Sequence, residues 1–213
     1  MNLKLLFACA IASTPTLCLA RTPTQSATDA ISLSQLGQGT ELAAAESRGV
    51  TKIVAGDETF ILRASQRDHA VETEEYGVEG EDAEHWSELI TCQRLFLGEA
   101  RGAADYVDEL KARLQTSNPT SRMRILQKAT QAAVFAIEYQ AKNPVDAQLA
   151  FVLVTAPRGR ASHEIQIIQY SALPGRVPLL TLQAHSKYWQ TRFQSQALLA
   201  QSHAFAGSEE ARK

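Results

Sequence analysis

Cysteine, glycine and proline are all scarce in this chain, and neither sign of charge is in excess. Three cysteines in 213 residues cannot form the dense disulfide framework of a small secreted domain. Eleven glycines and seven prolines exclude a collagen-like or low-complexity chain. With 21 Lys and Arg against 23 Asp and Glu, the net charge of -2 argues against nucleic-acid binding through a basic patch. A hydrophobic content of 45% is that of an ordinary globular protein.

The first twenty residues have the pattern of a secretory signal peptide. Lys4 supplies the positive charge at its start, residues 5–12 form a short apolar core, and residues 18–20 resemble a signal-peptidase site. The apolar core is far shorter than the ~20 residues that span a bilayer. No later segment comes close, so we expect no transmembrane span in the mature chain. The pattern predicts cleavage after Ala20 and a periplasmic or secreted protein.

Three further regions follow residues 1–20. Residues 21–49 are rich in Thr, Ser, Ala, Gln and Gly, which predicts a flexible N-terminal tether. Residues 50–205 carry the apolar periodicity and are interpreted as a single α+β domain. Residues 206–213 are expected to be a frayed tail.

Within that domain, the hydrophobic pattern predicts an antiparallel β-sheet with an amphipathic helix and a C-terminal helix packed on it. Strands cluster along the chain instead of alternating with helices, which is typical of an α+β fold. Apolar residues on both faces of 149–154 indicate a central strand covered on two sides. The terminal helix presents one stripe of Leu182, Trp189, Phe193 and Ala197. The other predicted elements are a hairpin over 52–62, strands at 70–76, 86–97, 123–126, 132–139 and 163–170, and a helix over 100–115.

One short motif, together with the order of the elements after it, carries a resemblance to a known family. The segment Trp86-Ser87-Glu88-Leu89-Ile90-Thr91 is followed by a helix, a block of strands and a terminal helix containing Lys187-Tyr188-Trp189. This order resembles small exported bacterial proteins related to the PsbP-like α/β/α sandwich, the fold of a photosystem II extrinsic subunit. The resemblance implies an accessory or binding role, and it supplies no catalytic residues.

Removal of the signal peptide leaves Cys92 as the single cysteine of the mature chain. A reactive thiol needs a cation, a histidine or a helix N-terminus nearby. The pattern instead places Cys92 in mid-strand, on a face shared with Trp86, Ile90 and Phe96, where a free cysteine behaves as a small hydrophobe. We therefore expect a buried side chain and no catalytic role.

The histidines do not have the spacing of a metal site. No His-x-His, His-x-x-x-His or cysteine pair is present, and adjacent residues of a strand point to opposite faces. We expect no metal and no cofactor, and we interpret the histidines as surface or capping residues. They are His69, His85, His163, His185 and His203.

The most distinctive feature is a run of acidic residues between Arg67 and Arg94, where no Lys or Arg occurs. Such a run can dock a partner with a basic surface and accelerate the encounter. Two alternatives remain open: a solvated loop that protects a sheet edge, or a cation site near residues 80–82. The residues proposed for partner binding are Glu79, Glu81, Asp82 and Glu84.

Together these patterns predict a non-catalytic accessory or interaction protein of the cell envelope. One alternative is a small envelope hydrolase, although the chain has no Gly-x-Ser-x-Gly motif. The other is a protein that binds a small ligand in a cleft with Trp86 and Trp189 as walls.

Overall fold

The computed structural model describes residues 31–32, 51–82, 85–141, 147–156 and 162–210. In these residues the chain forms nine strands and two helices. In chain order they are β1 (Ile31–Ser32), β2 (Lys52–Ala55), β3 (Glu58–Arg67), β4 (Val71–Val78), β5 (Glu88–Arg101), α1 (Ala103–Ser117), β6 (Arg122–Lys128), β7 (Ala132–Tyr139), β8 (Gln148–Thr155), β9 (Ser162–Ala172) and α2 (Leu179–Glu210).

All nine strands belong to one sheet, in the order β1-β2-β3-β4-β5-β9-β8-β7-β6. Every neighbouring pair is antiparallel except β1 and β2. Two meanders, β2–β5 and β6–β9, are therefore joined where β5 pairs with β9. The prediction of an α+β fold with a large antiparallel sheet is confirmed.

One helix packs on each face of this sheet, over two separate hydrophobic clusters. Helix α2 contributes Trp189 and Phe193 to one cluster, and helix α1 contributes Val107 and Leu110 to the other. Strand β8 serves both clusters, because Phe151 and Leu153 belong to the α2 side while Ala150, Val152 and Val154 belong to the α1 side. The prediction that this strand is covered on two sides is confirmed.

The predicted hairpin is also confirmed, and its turn has a local cause. Strands β2 and β3 are joined by Gly56 and Asp57 alone, with Ala55 opposite Glu58. Gly56 has a φ of 67°, in the left-handed region that a two-residue hairpin turn requires and that glycine adopts without strain.

The strand predicted over 86–97 begins later and extends further than its pattern indicates. Strand β5 starts at Glu88, and Trp86 lies before it. Ile90 and Cys92 share the α2 cluster as predicted, but Phe96 is 40% exposed and does not. Phe96 lies opposite Glu164 where the pairing with β9 becomes irregular, so it lies outside the packed part of that face.

The signal peptide predicted over 1–20 lies outside the described residues. In the predicted tether, the structure describes Ile31 and Ser32, which pair in parallel with Ile53 and Val54. Within the part of the chain that the structure describes, no helix combines the length and the apolar character needed to cross a membrane.

The burial of Cys92 gives a test of the α2 cluster. Its side chain is 4% exposed, so Cys92→Ser places a hydroxyl in an apolar site. We expect the free energy of unfolding to fall by about 1–3 kcal/mol in denaturant titrations. Cys92→Ala is the control for lost volume. If serine is no more destabilising than alanine, or if a thiol reagent labels native Cys92 rapidly, the buried assignment is wrong.

Candidate functional site

Among the acidic residues predicted to bind a partner, Glu79, Glu81 and Asp82 follow β4, and Glu79 and Asp82 are exposed. Glu79 is 55% exposed and forms an ion pair of 3.3 Å with Lys52 Nζ. Asp82 is 65% exposed, accepts the backbone N–H of His85 at 2.8 Å and pairs with His85 Nδ1 at 2.9 Å. Glu84 lies outside the described residues.

Glu81, in the same turn, is used by the fold. Its carboxylate accepts hydrogen bonds from the backbone N–H of Ser87, at 2.9 Å, and from the Ser87 hydroxyl. Its backbone carbonyl accepts a hydrogen bond from the Arg63 guanidinium. Glu81 therefore ties the turn to the segment just before β5.

The rest of the acidic run is spread along β4 and into β5. Glu72 and Glu74 lie near the start of β4, and Glu79 follows its end, about 20 Å away at the rise of a strand. Glu72 pairs with Arg67 at 2.7 Å and with Arg94 at 3.3 Å. The acidic run is thus not one continuous patch, because its members are divided between the two ends of β4.

A small polar groove of about 80 Å³ lies beside the start of β4. Glu72, Arg67 and Arg94 line it and are already paired with one another. Glu74 also lines it and accepts the Tyr76 hydroxyl at 2.6 Å, while burial raises the pKa of its carboxyl. A space of this size holds a few water molecules rather than a drug-sized ligand.

The two tryptophans predicted as cleft walls lie in different clusters. Trp86 is 8% exposed and packs in a small group with Leu89 and Leu173. Trp189 is 3% exposed and stacks on Tyr170 with ring centroids 5.3 Å apart. The structure does not bring the two indoles together, and packing occupies them both.

A buried charged network lies where β5, β9 and α2 meet, and sequence reasoning missed it. Glu88 is 3% exposed, and its carboxylate accepts hydrogen bonds from the Tyr170 hydroxyl at 3.0 Å and from His185 Nδ1 at 2.9 Å. The other ring nitrogen, His185 Nε2, lies 3.3 Å from Asp57 Oδ1. Asp57 is at the hairpin turn and is 89% exposed. One imidazole therefore connects a buried carboxylate to an exposed one.

The interpretation of all the histidines as surface or capping residues is wrong for His185. Its residue is 9% exposed, whereas His69, His85 and His163 are exposed. The signal was in the sequence: His185 is three residues after Leu182 and four before Trp189, on the apolar stripe of the terminal helix. The side chain of His203 lies outside the described residues.

The carboxylates around His185 favour its protonated form. Burial by itself lowers the pKa of His185, but the hydrogen bond and charge of Glu88, together with Asp57, outweigh it and raise the pKa above its ordinary value of 6.5. Burial, followed by the charge of Glu88, raises the pKa of nearby Glu58. Burial and Glu88 also raise the pKa of Tyr170, so its hydroxyl remains a hydrogen-bond donor at neutral pH.

The Glu88–His185 contact resembles the carboxylate–histidine contact of a hydrolase, but the group beside His185 Nε2 is not a nucleophile. A carboxylate at Nδ1 fixes the imidazole of a catalytic triad, and Nε2 then faces a hydroxyl or thiol. Here Nε2 faces the Asp57 carboxylate, which has no proton for a base to remove. The geometry supports a structural role, in which His185 links α2 to β5 through Glu88 and to the β2–β3 turn through Asp57. Among the described residues, no group of three or more His, Cys, Asp or Glu side chains is arranged to hold a metal ion.

Comparisons of the chain with protein-family models, with curated proteins and with solved structures found no match.

The raised pKa of His185 gives a pH dependence of stability with a defined sign. The folded state binds the His185 proton more tightly than the unfolded state, whose pKa is near 6.5. Its contribution is therefore complete below about pH 6.5 and is lost as the pH rises through the folded-state value. In chemical unfolding across this range, we expect the free energy of unfolding to fall as the pH rises.

Glu88→Gln should remove much of that slope, because Glu88 makes the largest favourable contribution to protonation of His185. It should also lower the free energy of unfolding by about 2–4 kcal/mol at acidic pH, since it breaks a buried charged hydrogen bond. Glu79→Gln removes an exposed carboxylate and should keep the slope. An unchanged slope in Glu88→Gln would contradict the role of this contact.

Proposed function

We propose that this chain is an exported, non-catalytic interaction protein of the cell envelope that binds a partner with a basic surface. The binding surface is one end of the sheet, here called the acidic end. Its members come from the β2–β3 turn and from the turn after β4: Asp57, Glu58, Glu79, Glu81 and Asp82.

The observation that carries the proposal is the meeting of these two turns. The backbone N–H of Glu79 donates to the carbonyl of Thr59 at 2.8 Å, so the end of β4 lies beside the start of β3. Asp57 and Glu58 directly precede Thr59, so they lie at the same end of the sheet as Glu79. The hairpin thus adds two acidic residues that the sequence pattern did not assign to this surface.

The cations at the acidic end leave it negatively charged. Lys52 pairs with Glu79, and Arg63 donates to the backbone carbonyls of Val78 and Glu81. With His185 protonated beside Asp57, three positive charges face five carboxylates, of which Asp57, Glu79 and Asp82 point largely into solvent. Exposed charge of one sign steers an oppositely charged partner and weakens with ionic strength.

Two further observations support an accessory role outside the cytoplasm. The signal-peptide pattern of residues 1–20 supports export. An antiparallel sheet with one helix on each face is the arrangement expected for the PsbP-like sandwich that the motif beginning at Trp86 resembles. Members of that fold are mostly not enzymes, which fits an accessory or binding role.

The test is binding of the mature chain to partners captured from envelope extract. A variant carrying Asp57→Asn, Glu79→Gln and Asp82→Asn removes the exposed charges and keeps Glu81, whose carboxylate holds Ser87. We expect this variant to bind the captured partner about tenfold more weakly or worse, and we expect wild-type binding to decrease with added salt.

The matched control removes three exposed carboxylates elsewhere, through Glu99→Gln, Asp105→Asn and Glu138→Gln. It should bind as the wild type does, because the total charge change is the same but the acidic end is intact. Equal loss in both variants would assign the effect to net charge, and equal retention would show that the acidic end does not bind.

A further inference from the structure

The tip of the β2–β3 hairpin is joined to helix α2 by a polar contact whose geometry depends on one proton. Asp57 lies 128 residues before His185 in the chain, yet its Oδ1 is 3.3 Å from His185 Nε2. The same imidazole contacts Glu88 through Nδ1 at 2.9 Å. His185 is therefore shared between a carboxylate buried in the sheet and a carboxylate exposed at the hairpin tip.

The two protonation states of the ring can serve these carboxylates to different extents. The imidazolium carries an N–H on each nitrogen and can donate to Glu88 and Asp57 together. The neutral ring has one N–H. Because the loss of a donor costs a buried carboxylate far more than an exposed one, that N–H remains on Glu88. Nε2 then presents a lone pair to Asp57, and two acceptors at this distance repel each other.

We propose that His185 is a proton-operated latch: its protonated form holds the β2–β3 hairpin against helix α2 through Asp57, and its deprotonation releases the hairpin tip. The latch is assembled from three parts of the fold, with the fixed anchor on β5, the titrating ring on α2 and the movable carboxylate on the turn.

The groups that face the ring come from every element packed around it, and those with charge are acidic. Glu88 belongs to β5 and Asp57 to the turn, while Glu58 at the start of β3 also interacts with the ring. Tyr170 on β9 donates to Glu88 and remains protonated. Because this environment raises the pKa of His185 above 6.5, release occurs as the pH rises beyond that value.

Opening of the hairpin tip can be measured in the mature chain without any partner, so this inference stands apart from the proposed function. A consequence that does rest on the proposed function is that release returns Asp57 to the acidic end as a free charge. A chain that shows the latch but captures no basic partner would refute the docking proposal and leave the latch in place.

The experiment is an NMR titration from about pH 5.5 to about pH 9, combined with amide exchange at Ala55 and Glu58, the pair that closes the turn. Protection factors corrected for intrinsic exchange should fall about two- to fivefold as His185 deprotonates, as expected for loss of one exposed ionic contact. The amide shifts of the turn should follow the same midpoint as the His185 ring.

Asp57→Asn is the decisive variant, because residue 57 is exposed and the Glu88–His185 contact is kept. It should lower the His185 midpoint and make the protection of the turn independent of pH, since an amide can donate to a neutral ring. His185→Gln should likewise abolish the pH dependence if it folds. Glu79→Gln, which removes a carboxylate of the same end that does not contact His185, should behave as the wild type.

The latch is overturned if the turn of the wild type keeps the same protection on both sides of the His185 midpoint. It is equally overturned if Asp57→Asn retains the pH-dependent opening.

Discussion

The pairing of β5 with β9 is the contact on which the rest of this fold depends. It joins two meanders that would otherwise be separate sheets, each with an additional open edge. Ile90 and Tyr170 are partners in this pairing and face helix α2, whereas Leu95 and Ile165 are partners that face helix α1. Both hydrophobic clusters therefore require the same strand pair in the same register.

Glu88 lies at one end of this pairing, opposite Ala172, and it restricts how helix α2 can pack. A carboxylate that is 3% exposed needs donors, and Tyr170 on the adjacent strand provides one of them. His185 provides the other only if α2 has the rotation that also stacks Trp189 on Tyr170. The ionic contact and the aromatic stacking thus select one orientation of the helix, which an apolar stripe alone would specify less sharply.

The sequence was informative wherever the structure is determined locally. The Gly56 turn follows from a glycine between two strand-like segments, and the one-sided stripe of α1 and the two-sided burial of β8 follow from periodicity within a single segment. The insertion of β9 between β5 and β8 does not, because strand order depends on pairing between distant segments. The exposure of Phe96 was missed for a related reason: its surroundings depend on where the pairing with β9 becomes irregular.

The candidate site also has a part that the sequence indicated and a part that it did not. The exposed positions of Glu79 and Asp82 agree with the acidic pattern, but that pattern also contained Glu88, whose buried role depends on a residue 97 positions away. No rule of sequence spacing connects Glu88 with His185. The position of His185 on the apolar stripe was readable, and it indicated a buried histidine without identifying its partner.

Strand β6 forms one edge of the sheet, and β1 forms the other. The composition of β6 affects whether two copies of the chain can pair edge to edge in concentrated solution. Arg122 and Arg124 alternate with the half-buried Met123 and Ile125, and both arginines are exposed. Antiparallel pairing of β6 with β6 of a second copy would bring four guanidinium groups, two from each strand, into one short strand pair. Such like-charge contact disfavours edge-to-edge polymerisation of the sheet. The strand that contributes Met123 and Ile125 to the α1 cluster thus also carries charge that opposes edge-to-edge growth of the sheet.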